Sequence, residues 1–331
     1  MTATLRRPPE PVAPRHTSFE LGTTRVHWLV DDAQATHTFN VGNLLFPTGE
    51  RFFNDSLRNA LPYVTDDRIR TEIRGFLGQE VTHGNEHERC VARMEEHGIG
   101  FRRELELFEA FRRRLNDRVN RLPEPLRKQA VLLMVATTAA AEHFTASLAG
   151  YVLADNTWAE TDVDPEMTHL FLWHAAEEIE HRHVAYDVYH HIGGGYLRRV
   201  SVMVPLAALV LVGWPLLTSE VMRRDPTASG RWSWRAHLRS ARRGEVFSLA
   251  RALWDLRLYF DPRHHPGDLP GSLEHALEYL STAPSVLGHR GRRGDTAGSS
   301  AVGSGRPRGS TQGDDDVEVT PWLSAPSALR Q

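Results

Sequence analysis

One cysteine, Cys90, is all that the 331 residues contain. An intramolecular disulfide is therefore excluded, and so are a thiolate zinc site and an iron–sulfur cluster. A surplus of charge is missing too. With 39 basic and 42 acidic residues the formal net charge is −3, so nothing electrostatic points to nucleic acid as a partner. The first residues lack the apolar core of a signal peptide, and the expected compartment is the cytoplasm. No stretch alternates with period two for long enough to suggest a strand. Neither a Gly-x-Ser-x-Gly stretch nor an obvious Ser-His-Asp arrangement is present. Histidine, by contrast, is abundant: 18 copies, many in the middle of the chain, which favours metal or proton chemistry.

The punctuation is that of helices. Pro47 and Thr48 suit the start of a helix through Glu50 towards Leu61, and Thr65-Asp66-Asp67 suits the start of a second that Gly98 stops. A charged helix is expected over 101–120, an Ala-rich one over 126–153, and a fifth over 165–191, ending at Gly193-Gly194-Gly195. A last helical region spans 232–259. The fold class expected is all-α, a ferritin-like helical bundle with additional C-terminal helices, occupying residues 19–287. Residues 1–18 and 288–331, rich in Pro, Arg, Gly and Ser, read as disordered tails. The segment 200–217 is almost wholly apolar with arginines on both flanks. A buried core helix, an interfacial or embedded hairpin and a true membrane span all remain open for it, so membrane association stands beside the cytoplasm.

Two Glu-x-x-His pairs, Glu80/His83 and Glu178/His181, lie inside expected helices, where residues three apart share a face. A di-metal carboxylate bundle combines two such pairs with one Glu from each of two further helices. In chain order this sequence supplies Glu50, Glu80/His83, Glu142 and Glu178/His181. Glu142 follows Ala139-Ala140-Ala141, where an unpaired carboxylate would be costly to bury. Four carboxylates and two imidazoles suit two metal ions, iron first, with manganese or zinc as alternatives. His87 and His174, each one turn from a paired residue, are further candidates, as ligands or as proton carriers behind them.

Phe46-Pro47-Thr48-Gly49-Glu50-Arg51-Phe52-Phe53, Gln79-Glu80-x-x-His83-x-x-x-His87, Ala141-Glu142-His143 and Glu177-Glu178-Ile179-Glu180-His181-Arg182 resemble the bacterial "predicted metal-dependent hydrolase" family. The resemblance runs from about Arg25 to Pro266, with His264 where that family tends to have an aromatic residue. The ligand pattern is also similar to that of ferritin-like di-iron oxygenases and oxidases, including arylamine oxygenases with a further histidine. The first expectation is an oxygen-dependent di-iron oxidase or oxygenase acting on a small or hydrophobic substrate, with dioxygen and an electron-donor protein as partners. The alternatives are a hydrolase using metal-activated water and an iron-binding or storage bundle.

Overall fold

A computed structural model describes residues 6–17, 19–154, 158, 162–229, 231–269 and 271–283. The expected tail at 288–331 lies outside the described residues. All the long elements are helices, as the absence of alternation implies: α1 (Ala33–Ala60), α2 (Asp67–Glu96), α3 (Arg102–Asn120), α4 (Glu124–Ala154) and α5 (Pro165–His181) come first. They are followed by α6 (Val184–His191), α7 (Tyr196–Ala208), α8 (Trp214–Arg224), α9 (Trp234–Arg242), α10 (Leu249–Tyr259) and α11 (Leu273–Thr282).

Local chemistry explains most boundaries. Asp66 caps α2 by accepting from the Ile69 amide, and Gly98, at φ 86°, turns the chain after it. Asp164 caps α5 by accepting from the Glu166 and Met167 amides, with Pro165 in the first turn.

Three expected boundaries are corrected. The first helix starts not at Pro47 but at Ala33, where the Asp32 side chain accepts from the Ala35 amide, and it runs through Pro47. Proline forfeits one helical hydrogen bond there without ending the helix. The fifth helix is two, α5 ending at His181 and α6 starting at Val184; at the break the Arg182 side chain donates to the carbonyls of Gly267, Leu269 and Gly271 before α11. The region 232–259 is two helices, α9 and α10, parted near Gly244 at φ 74°.

Helices α1, α2, α4 and α5 surround the middle of the molecule. One apolar cluster at one end gathers Trp28, Phe39, Trp158, Phe171 and Phe247. A second gathers Leu57, Ile73, Phe76, Val131, Val135 and Tyr189. The charged centre described below lies on the same four helices. Gly84 permits close approach there: a Cβ at that position would sit 3.1 Å from Glu50 Oε2 and 3.8 Å from the Pro47 Cα.

The N-terminal segment departs from expectation. Residues 6–17 lie as a strap on the bundle: Arg6 pairs with Asp268 and Arg7 with Asp187, while Val12 is buried against α2. A Cβ on Gly75 would overlap the Val12 carbonyl, and one on Gly78 would meet the Pro14 ring at 2.7 Å. Arg15 reaches into the bundle. Polar pairing and a glycine groove seat the strap, which is why its lack of an apolar pattern misleads.

The segment 200–217 is not a buried core helix. It belongs to a helical run over Tyr196–Arg224 in which α7 and α8 are joined by a π-helical turn, Leu209–Gly213. By length and composition this run and α4 are each apolar enough to cross a membrane; α4 is largely buried in the protein, whereas little of the run 196–224 is buried.

Candidate metal centre

Glu50 from α1, Glu80 and His83 from α2, Glu142 from α4, and Glu178 and His181 from α5 converge, each with at most 4% of its surface exposed. His174, one turn before Glu178, joins them. Glu178 Oε1 lies 2.9 Å from His174 Nε2, 3.6 Å from His181 Nε2 and 3.8 Å from His83 Nδ1. Glu80 Oε1 lies 3.4 Å from His181 Nε2 and 3.6 Å from His83 Nδ1. These two carboxylates therefore stand between two groups of donors. One group holds Glu50, His83 and His174; the other holds Glu142, 3.3 Å from His181 Nε2, and His181 itself.

Residues behind the centre fix which nitrogen faces it. His83 Nε2–H donates to Glu177 Oε2 at 2.9 Å, leaving Nδ1 turned inward. Burial alone would raise the Glu177 pKa, but His83 and Arg15 outweigh it and hold this carboxyl below its ordinary value, ionised and accepting only. Gln79 donates through Nε2 to Glu180 and to the Ala13 carbonyl, so its Oε1 must accept from His181 Nδ1–H, at 2.9 Å. His181 Nε2 then faces inward.

The same logic separates His87 from His174. Asn43 donates through Nδ2 to Asn40 Oδ1, so its Oδ1 accepts from His87 Nδ1–H at 2.7 Å. His87 Nε2 accepts from His174 Nδ1–H, which turns His174 Nε2 towards Glu50 and Glu178. His174 is thus a donor into the centre, and His87 stands behind it as an orienting group. Burial, then the charge of a neighbouring histidine, lowers both pKa values, that of His174 to about 4, and keeps these rings neutral.

Apart from Glu178 Oε1 and His174 Nε2, which lie 2.9 Å from each other, the donor atoms have no other occupation. Both oxygens of Glu50, Glu80 and Glu142, together with Glu178 Oε2, His83 Nδ1 and His181 Nε2, are buried without a hydrogen-bond partner. Such groups are expensive to leave unpaired, and a cluster of hard carboxylate oxygens with inward imidazole nitrogens fits metal cations. The electrostatics agree. Burial first and neighbouring carboxylates second push Glu50 and Glu80 well above the ordinary carboxylate range, and Glu142 up to about 7. Glu178 moves the other way: burial would raise it, but His181 outweighs burial and lowers it. His181 is raised by Glu178 and Glu142 against the effect of burial, so Nε2 is the atom that exchanges a proton for a cation.

A family model described as predicted metal-dependent hydrolase matches residues 13–269. The chain belongs to that family. No curated protein matches the chain, and no solved structure does. Membership in this metal-dependent family agrees with the clusters of candidate donors. It also corrects the first functional expectation: the family is described as hydrolytic, so the oxidase or oxygenase reading gives way to the hydrolase alternative. The correction has a physical reason. Carboxylates and imidazoles hold ions for hydrolysis as well as for redox chemistry, so ligand types alone did not discriminate. Sequence reasoning also missed the orienting parts played by Asn43, Gln79 and Arg15. Gln79 stands in the Gln-Glu-x-x-His motif, but Asn43 and Arg15 carry no local signal, since their partners are on other segments.

A pH dependence follows. Metal binding must displace protons from carboxyls whose pKa values are raised, so affinity should weaken as pH falls through about 7, the value for Glu142. In the metal-free protein the sign is opposite. A carboxyl raised above its unfolded value supplies stability at low pH that is lost as pH rises through the folded value. The rise in melting temperature on adding metal should therefore be larger at pH 8 than at pH 6. A rise that is equal at both, measured calorimetrically, would contradict the assignment of these carboxyls as ligands.

Proposed function

We propose that the protein is a hydrolase that works with two divalent metal ions and cleaves a neutral ester carrying an apolar arm. Glu50, Glu80, His83, Glu142, Glu178 and His181 would hold the ions, with His174 as a seventh ligand. The observation that carries the reading is that His174 and Glu178 face the centre and also line an apolar pocket of about 480 Å³, its open mouth included. The other walls include Phe39, Phe46, Leu148, Phe171, Trp214 and Phe247.

When bound, such ions supply an acidified water and a Lewis acid for the substrate oxygen. The remaining work falls to side chains. Glu177 and Gln79 keep His83 and His181 in one tautomer each, which holds the donors in place before substrate arrives. The pocket walls bind the apolar arm and keep bulk water away from the reacting carbonyl. No Lys or Arg is among the lining residues, so the walls suit an apolar arm and offer nothing to a second charged group on the substrate.

The test is a series of carboxylic esters of rising acyl length, assayed after loading with manganese, zinc or ferrous iron, with elemental analysis giving metal identity and stoichiometry. Hydrolysis should require metal and should favour longer chains. Thr145 lines the pocket and is only partly buried, so Thr145→Phe should lower kcat/KM for long-chain esters about tenfold or more and leave the acetate ester nearly unchanged. Metal-loaded protein that hydrolyses no ester above the buffer rate would overturn the proposal.

A further inference from the structure

The helical run Tyr196–Arg224 presents an apolar face outward. Leu197 is 78% exposed, Val204 60%, Leu209 59%, Val212 60% and Leu216 65%. Pro205 and Ala208 are exposed between them. From Val204 to Leu216 these positions recur every three or four residues, and Leu197 lies two turns before them, which makes one stripe along one side of the helix, about 28 Å long at 1.5 Å per residue. The opposite side packs inward through Met203, Trp214, Thr218 and Val221. An ordinary surface helix is arranged the other way round, with its charged face in water. A continuous exposed apolar stripe of this size marks a surface that is covered in use.

The neighbouring helices indicate what covers it. α10 shares a small core with α7, through Leu256, Tyr259 and Met203, and exposes Leu253 and Trp254. Trp232, just before α9, and His237 on α9 border a cleft with Trp214 and Pro215 of α8, and α9 exposes Trp234 and Leu238. Arginines accompany these side chains. Residues 196–263 contain twelve arginines and five acidic residues, a surplus of seven, in a chain whose net charge is −3. Between Asp225 and Glu245 there are five arginines and one more directly before Asp225, with no acidic residue from 226 to 244. Arg223 and Arg224 pair with Glu220, and Arg243 with Glu245, whereas Arg235, Arg239 and Arg242 stand exposed on α9. Exposed tryptophans, an apolar stripe and a local arginine surplus together match the layers of a bilayer surface: acyl chains, interface and anionic headgroups.

We propose that the protein docks on an anionic lipid bilayer through this face, with α7–α8 lying in the interface and α9 and α10 beside it. Trp214 belongs to α8 and also lines the pocket that reaches His174 and Glu178, so the docked surface and the pocket share an element. The docking argument stands on the surface alone and does not need the hydrolytic reading.

Co-sedimentation of the full chain with vesicles tests it, using phosphatidylcholine alone and a phosphatidylcholine–phosphatidylglycerol mixture. Binding to the mixed vesicles, with a blue shift of tryptophan emission and weakening at high salt, is the expected result. Arg235→Gln with Arg239→Gln should weaken that binding about 25-fold, near fivefold for each charge at an anionic surface. Val204→Asp with Leu209→Asp should abolish it while preserving the helical circular dichroism and metal content. Should that pair disturb folding, the arginine pair on α9, exposed and outside the core, decides alone. Equal binding to both vesicle types, or none to either, overturns the proposal. So does a stable dimer that the Asp pair dissociates, because the face would then be covered by a second copy of the chain.

Discussion

Replacing Glu80 by Gln should raise the stability of the metal-free protein and at the same time abolish metal loading and hydrolysis. Both oxygens of Glu80 are buried and unpartnered, and its pKa is raised by burial and then by Glu142 and Glu178. In the metal-free state its ionised form repels those carboxylates in a region with little water. The amide keeps the shape and removes the charge. Relief of a buried, uncompensated charge is worth about 1–3 kcal/mol, or a few degrees in melting temperature for a domain of this size. The sign depends on pH. A raised pKa means that the carboxyl is neutral at low pH, so the gain should be present at pH 8 and shrink towards pH 5. With metal the balance reverses, because Glu80 lies among the donors on both sides, and a neutral amide would not offset the charge of a cation held there. Wild-type protein should therefore gain much more stability on metal addition than Glu80→Gln. Full metal content in the variant, or a lower melting temperature of its metal-free form at pH 8, would remove Glu80 from the centre.

How far the sequence reveals this centre depends on how local each signal is. The Glu-x-x-His pairs are readable because a helix puts residues three apart on one face, whatever else surrounds them. Glu142 is readable from its alanine neighbours, which leave no solvent for a carboxylate. Glu50 is harder: with the helix assumed to begin at Pro47, it sits in a first turn, where acidic residues are common for dipole reasons. The structure puts it in the middle of α1, buried, a position in which the dipole explanation fails. His87 and His174 cannot be ranked from sequence at all. Their order is set by the direction of hydrogen bonds that starts at Asn40 and Asn43 on another helix. The chemistry is equally hidden, since one donor set serves hydrolysis and oxygen activation, and it is the description of the family that favours hydrolysis. The boundaries of α1 and α5 fail for a related reason: Pro47 is tolerated inside α1, and α5 ends at His181 with neither glycine nor proline at that point.

Deleting residues 1–18 should cost stability and metal together, although the composition of that segment suggests that nothing would be lost. Arg15 donates from Nη1 to Glu177 Oε1 at 2.9 Å and to Glu180 Oε2 at 2.6 Å, and from Nη2 to Glu180 Oε1 at 2.8 Å. Neither carboxylate has more than 5% of its side chain exposed, and the Arg15 side chain is 21% exposed. Removing one partner of a buried pair leaves a charge without compensation, at about 3–5 kcal/mol. The effect then passes inward. Without Arg15, Glu177 tends to take up a proton, and His83 Nε2–H loses the ionised acceptor that orients its ring. Loss of such a partner lowers metal affinity about 10–100-fold. Arg15→Met in the full chain separates this charge effect from the packing of Val12 and Pro14 on the Gly75 and Gly78 groove. It should lose stability and metal affinity, and adding Glu180→Gln should restore much of the stability by removing one of the stranded charges. Affinity should recover less, because Glu177 still lacks its cation. Thermal denaturation and metal titration of the four proteins, wild type, Arg15→Met, the double variant and the deletion, read both quantities. A deletion that binds metal as tightly as the wild type would show that the strap rests on the bundle without shaping the centre.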